Sequence, residues 1–160
     1  MRKTFFTAAA LLLASAGVAA AQSSATQQVN TEVPAVNEIS VAAASVDLVV
    51  ATPTAGQPLA TTTTSSSYAI TTNQTAMKIV ASLDADMASG LTLVATMVAP
   101  TVGTSAGPKA LSATTPEDMV TGIGQVNESL LDITYELSAT LQAAAGTDSR
   151  TVTFTVVAGA

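Results

Sequence analysis

The sequence predicts an all-β fold, an antiparallel β-sandwich of roughly seven to nine strands. Three observations carry this. Apolar and polar residues alternate strictly over eleven residues from Leu131 to Leu141. The same period of two recurs at Met77–Leu83, Leu91–Val98 and Thr151–Val157. Turn-forming residues separate these stretches. Alternation with period two places successive side chains on opposite faces, the mark of a half-buried strand.

Ahead of the sandwich, residues 1–21 read as a secretory signal peptide. Arg2 and Lys3 form a positive start, Phe5 to Ala16 an apolar stretch, and Ala19-Ala20-Ala21 a small-residue cleavage site before Gln22. The apolar run is shorter than the roughly 20 residues of a membrane-spanning helix. The chain is therefore expected to be exported, to the periplasm, the cell surface or the medium. No cysteine follows the leader to carry a lipid. Residues 22–160 are expected to form one domain, with Gln22–Gln28 as a mobile tail.

The strands are expected in the following order. Short ones lie at Val29–Val33, Glu38–Val41 and Val46–Ala51. Thr52–Ser67, rich in Thr, Ser, Pro and Gly, reads as a long surface loop, and Tyr68–Thr72 as the next strand. Met77, Ile79, Ala81 and Leu83 share one face of a strand. Leu91, Leu93, Ala95 and Met97 share a face of another. The polar link Asp84–Gly90 suggests that these two form a hairpin. A short strand at Lys109–Ser112 follows. Thr115-Pro116-Glu117-Asp118 then carries helix-start chemistry: a Thr cap, Pro at the first position and acids in the first turn, with Gly122 as the stop. Leu131–Leu141 and Thr151–Val157 bracket the turn residues 145–149 and read as a C-terminal hairpin.

Composition excludes several functions. The 160 residues carry a net charge of −6, with 10% charged residues and no Cys, His or Trp. Loss of the leader leaves Lys78, Lys109 and Arg150 against eleven carboxylates, a net charge of about −8. Nucleic acid is not an expected partner, because phosphate binding needs clustered Lys and Arg. An anionic membrane surface is not one either once the leader is gone. The usual zinc, copper and haem ligands are missing, as are the thiol nucleophile and the commonest general base. No cofactor is expected. Without cysteine in an oxidising compartment, the domain must be stable through burial alone. About 140 residues suffices, since such a domain buries roughly two-thirds of its unfolded surface.

Candidate sites are few, and each has a plainer reading. Glu128, Asp132 and Glu136 share parity and so would share a polar strand face. Neighbours in that row stand about 13 Å apart, beyond the roughly 5–9.5 Å of paired glycosidase carboxylates, so a solvated face is expected. Asp84 and Asp86 could hold Ca²⁺ with backbone carbonyls, but no third acid follows and a solvated turn explains them. Glu117 and Asp118 fit the N-terminal charges of a short helix. Ser105 and Ser112 lie near Lys109 without Ser-x-x-Lys spacing. Gly122-Ile123-Gly124 is a poor nucleotide loop. Met77, Met87, Met97 and Met119 could suggest copper(I), but core filling is the expected role. Asn73-Gln74-Thr75 and Asn127-Glu128-Ser129 match the glycosylation triplet. No catalytic, cofactor or metal residue is assigned.

Several features together resemble small secreted bacterial β-sandwich proteins of the pilin and spore-coat-U type. They are the leader, the strand Asn37-Glu38-Ile39-Ser40-Val41, Asp132-Ile133-Thr134-Tyr135, and the closing Arg150–Val156 segment. The resemblance spans residues 28–157 and implies an Ig-like or pilin-like Greek-key sandwich that forms fimbriae or surface layers. The chain lacks the cysteine pair of chaperone-assembled pilins and has no Tyr next to last. The Cys…Trp…Cys pin of antibody domains is absent as well.

The outward strand positions are mostly Thr and Ser, and Lys, a common means of blunting an edge strand, is scarce. This suggests a non-catalytic surface or envelope protein that self-associates through its edges or pairs with other envelope proteins. Gln27–Val33 would then lend a strand to a neighbour. The alternative is a secreted carbohydrate- or protein-binding module, with Tyr68 and Tyr135 as its aromatic contacts.

Overall fold

The computed structural model describes residues 24–159. The leader assigned to residues 1–21 lies outside them. The chain divides into two compact units, residues 1–33 and 34–160. In the first, residues 24–33 are exposed and form no strand. The strand expected at Val29–Val33 is absent: Val29 and Val33 are exposed and no ladder includes them.

The second unit is a sandwich of two antiparallel sheets, and no helix occurs among the described residues. Its strands are β1 (Asn37–Val41), β2 (Thr62–Thr72), β3 (Met77–Leu83), β4 (Leu91–Met97), β5 (Thr104–Ser105), β6 (Lys109–Ala110), β7 (Glu117–Ile123), β8 (Val126–Ala139) and β9 (Val152–Ala158). One sheet has the order β1-β2-β8-β4-β6 and the other β5-β7-β3-β9. Apart from β1 and β2, every pair of consecutive strands is split between the sheets.

That crossing pattern corrects both expected hairpins. β3 and β4 do not pair: β3 lies between β7 and β9, and β4 between β8 and β6. β8 and β9 are likewise in different sheets. Strands with one apolar face can bury it by pairing side by side or by packing face to face. Here the links 84–90 and 140–151 carry the chain over the end of the sandwich, and both faces meet in one core.

The core bears out the period-two reading from Met77 to Leu83, Leu93 to Met97 and Ile133 to Leu137, while Leu141, the end of the expected alternation, is exposed beyond β8. Leu93, Ala95 and Met97 of β4 and Ile133, Tyr135 and Leu137 of β8 face Met77, Ile79, Ala81 and Leu83 of β3. Tyr68, Ile70, Met119 and Ile123 complete it. Met77, Met97 and Met119 are therefore core residues, with Met87 packed at the margin. Each fully buried large apolar side chain contributes roughly 1.5–3 kcal/mol, the kind of stabilisation a disulfide-free domain must rely on.

Where the period breaks, a bulge is the cause. The helical turn expected after Thr115 is instead β7. Met119 and Val120 are adjacent, and both are fully buried. The register against β3 slips on either side of Ile79, and Gly122 has φ +65°. Two neighbouring side chains facing inward erase the alternation, so only the Thr-Pro-Glu-Asp chemistry remained to be read. A second bulge lies in β8. Tyr68 faces Leu131 and Ile70 faces Glu128, so two residues oppose Ala69 alone. Leu130 adopts φ +60° there with its side chain exposed.

Several strands differ in extent from the expectation: β8 begins at Val126 and ends at Ala139, β6 covers only Lys109–Ala110 of the expected Lys109–Ser112, and β5 has no counterpart in the expected set. β2 begins at Thr62, inside the expected loop, because Thr62–Ser67 pairs with β8 from Leu137 to Asp132. Val46–Ala51 is not a strand. Val46, Leu48 and Val50 are nevertheless half-buried between exposed Asp47 and Val49, and Val46 and Leu48 pack on the core. The alternation there reports faces without a ladder.

Candidate functional site

The β8 bulge dismantles the expected carboxylate row. It reverses parity between Glu128 and Asp132, so Glu128 leaves the face that Asp132 and Glu136 share. Glu128 accepts a hydrogen bond from the Thr101 amide at 2.8 Å. It thereby ties the loop after β4 to β8. Nearby, the Tyr68 hydroxyl donates to the Val98 carbonyl at 2.6 Å. Burial raises the Tyr68 pKa, and the Glu128 charge adds to the rise. Burial also raises that of Tyr135. Both rings are core residues, 1% and 7% exposed, and neither offers a stacking face to a sugar.

Asp84 and Asp86 do come together with other polar groups, at the end of the sandwich where β3 meets the link into β9. Asp84 Oδ1 accepts from the amides of Thr151 at 3.0 Å and Ala85 at 2.9 Å. Asp86 Oδ1 accepts from the Ala113 amide at 2.8 Å. Arg150 donates to the Asp86 carbonyl at 2.9 Å and pairs with Asp148. These carboxylates cross-tie three loops. Among the described residues no three acids gather in the way a metal ion needs.

The hydrogen bond donated by the Thr151 amide is the main reason the Asp84 carboxyl is held below its ordinary pKa of 3.8. A lowered folded value means the contribution is present above about pH 3.8 and lost as acid titrates the folded group. Thermal melts from neutral to acid pH are therefore expected to lose stability less steeply in Asp84→Asn than in the parent. Parallel acid slopes would refute the assignment.

The remaining candidates are bonded within the fold. Glu117 and Asp118 lie on β7 instead of a helix, and Asp118 forms a cross-strand ion pair with Lys78 at 2.9 Å. Ser105 Oγ donates to the Met97 carbonyl at 2.6 Å, and Ser112 Oγ bonds Thr114 Oγ1 at 2.9 Å. Gly122 and Ile123 belong to β7, and a Cβ on Gly124 would lie 2.7 Å from Val102.

Sequence reasoning missed an amide-rich corner. Asn73 donates to the Pro34 carbonyl at 2.8 Å and accepts from the Val36 amide at 2.9 Å, fastening the entry to β1. Gln125 donates to the Asn73 carbonyl at 3.1 Å. Thr71 Oγ1 donates to Asn127 Oδ1 at 3.4 Å. Together they line an open cleft of about 490 Å³. The acceptor Asn of each glycosylation triplet lies here, and the Asn73 side chain is already engaged on both its atoms. The corner joins residues far apart in the chain, and no local spacing signals it.

The outward faces are the other notable surface. Register places Ser65, Thr134 and Thr96 abreast across β2, β8 and β4, with Thr92 beside Ser138. In the second sheet Ser82 lies beside Thr153 and Val80 beside Thr155. Comparison with protein-family models, curated proteins and solved structures gives no match.

Proposed function

We propose that this chain is an exported, non-catalytic structural protein of a bacterial surface or envelope, akin to pilin and spore-coat-U proteins, whose copies self-associate into a fimbrial or layer-like assembly. The observation that carries the reading is the hydroxyl-lined, sparsely charged outer surface of the sheets. Ser65, Thr134 and Thr96 lie abreast across three paired strands, and Ser82, Thr153 and Thr155 line β3 and β9, where Lys78 is the sole charged residue, a surface suited to packing against another protein. The exposed segment 24–33, free of regular structure, supports it as an arm available to a neighbour. Fractionation of the producing cells and negative-stain microscopy test this. Protein in the envelope or on the surface as ordered assemblies is expected. A monomer found only in the cytoplasm would overturn it.

A second reading, a secreted carbohydrate- or protein-binding module, is favoured by the open cleft, whose rim sets Gln125 and Asn127 beside largely apolar surface. A glycan-array signal lost in Gln125→Ala and Asn127→Ala would select it.

A further inference from the structure

Four strands form the margins of the two sheets: β1, β6, β5 and β9. Natural edges are kept from pairing with other chains by shortness, charge, proline or bulges. β5 and β6 are two residues each, and β6 carries Lys109 directly after Pro108. β1 has five residues, including Glu38. β9 has none of these devices. Its seven residues, Val-Thr-Phe-Thr-Val-Val-Ala, are uncharged, and its register with β3 runs unbroken over seven pairs.

Hydrogen bonds at its two ends fix which groups face outward. The Asp84 amide donates to the Thr151 carbonyl at 3.0 Å, and the Gly159 amide donates to the Ala76 carbonyl at 2.7 Å. Bonding alternates along an antiparallel pair. The odd residues therefore bond to β3, and Val152, Phe154, Val156 and Ala158 turn their N–H and C=O groups to the free edge. Among the described residues no hydrogen bond reaches that edge; β1 passes near it without one.

Charge points to the occupant. The five-stranded sheet carries Glu38, Glu128, Asp132 and Glu136 against Lys109, an excess of acid that would repel a second copy of this acidic chain. The four-stranded sheet carries Glu117 and Asp118, both on β7 and separated from β9 by β3; on β3 and β9 the sole charged side chain is Lys78, paired with Asp118. The β9 margin is where two copies repel least.

We infer that β9 pairs antiparallel with β9 of a second copy, joining two four-stranded sheets into one of eight strands across a twofold axis. The inference rests on the self-association proposed above and specifies its first step. A strand already ordered, and built of Val, Thr and Phe, enters such a pair at lower entropic cost than the unstructured segment 24–33. Pairing one edge with itself is isologous and closes at two copies, so the basic unit is a dimer, and any larger assembly uses other surfaces.

Analytical ultracentrifugation over a concentration series, with hydrogen exchange of the purified protein, tests this. A monomer–dimer equilibrium is expected, with the Phe154 and Val156 amides slowing as dimer forms. In Thr153→Lys/Thr155→Lys, whose side chains are exposed, the dissociation constant is expected to rise at least tenfold with the thermal melt retained. A dimer or polymer in which those amides still exchange fast, or which ignores the lysines, overturns the β9 contact but leaves self-association standing. A monomer at every concentration overturns both.

Discussion

Replacing Tyr68 by alanine is expected to cost about 3–5 kcal/mol, and by phenylalanine about 1 kcal/mol. Tyr68 is 1% exposed on the inner face of β2, opposite Leu131 at the edge of the β8 bulge. Truncation to alanine leaves a ring-sized cavity in a core whose other walls come from both sheets, so it cannot easily collapse. Phenylalanine keeps the ring and removes only the hydroxyl that donates to Val98 at 2.6 Å. The Phe variant also carries a signature in base. The raised folded pKa of Tyr68 means its contribution is complete below the ordinary value of 10.0 and declines as pH rises beyond it. Urea unfolding of Tyr68→Phe should therefore show a shallower loss of stability above about pH 10 than the parent. Equal costs for the two variants would show that the hydroxyl, not the packing, dominates.

Gly90→Ala is expected to cost about 2–5 kcal/mol, for two separable reasons. Gly90 sits at φ +85°, where a side chain is strained. A Cβ there would also fall 2.5 Å from the Ala143 amide nitrogen and 2.9 Å from Ala143 Cα, backbone that cannot swing aside. The approach is close because the Gly90 carbonyl accepts the Thr140 amide at 2.8 Å, locking the entry to β4 onto the exit from β8. Gly107→Ala separates the two causes. Gly107 has φ +75° but nothing within 4 Å of its Cβ position, so only the conformational cost of about 1–2 kcal/mol applies. Chemical denaturation of both variants checks this, and equal losses would remove the steric account.

Both results bear on how the crossing topology is held. With no cysteine in the chain and no helix among the described residues, the strands are organised by one shared core and a few ties at the loop ends. Tyr68 belongs to the first kind, and Gly90, Asp84 and Asp86 to the second. The loop ties lie where consecutive strands change sheets, the places where an antiparallel hairpin would have needed none of them.

Strand faces were legible in the sequence because the side-chain period of a strand is a local property. Leu131 to Leu137 and Met77 to Leu83 alternate by geometry alone, whatever they pair with, and a chain so patterned has to bury one side. Even Val46–Val50, which has no ladder, kept its alternate burial. Bulges defeat this reasoning: one extra residue at Leu130 moved Glu128 to the other face, and a slip near Ile79 turned Met119 and Val120 inward together. Neither is written in the apolar pattern.

Strand content, a common core and a hydroxyl-rich, acidic exterior follow from the order of residues alone, since alternation and composition are carried by each residue and its neighbours. Which strands pair, where Glu128 points, that Asn73 and Gln125 share a cleft and that β9 ends a sheet unguarded emerge in the folded molecule. Those outcomes depend on contacts between residues distant in the chain. A strand's apolar face is satisfied equally by many partners, and the choice among them lies in the packing of the whole.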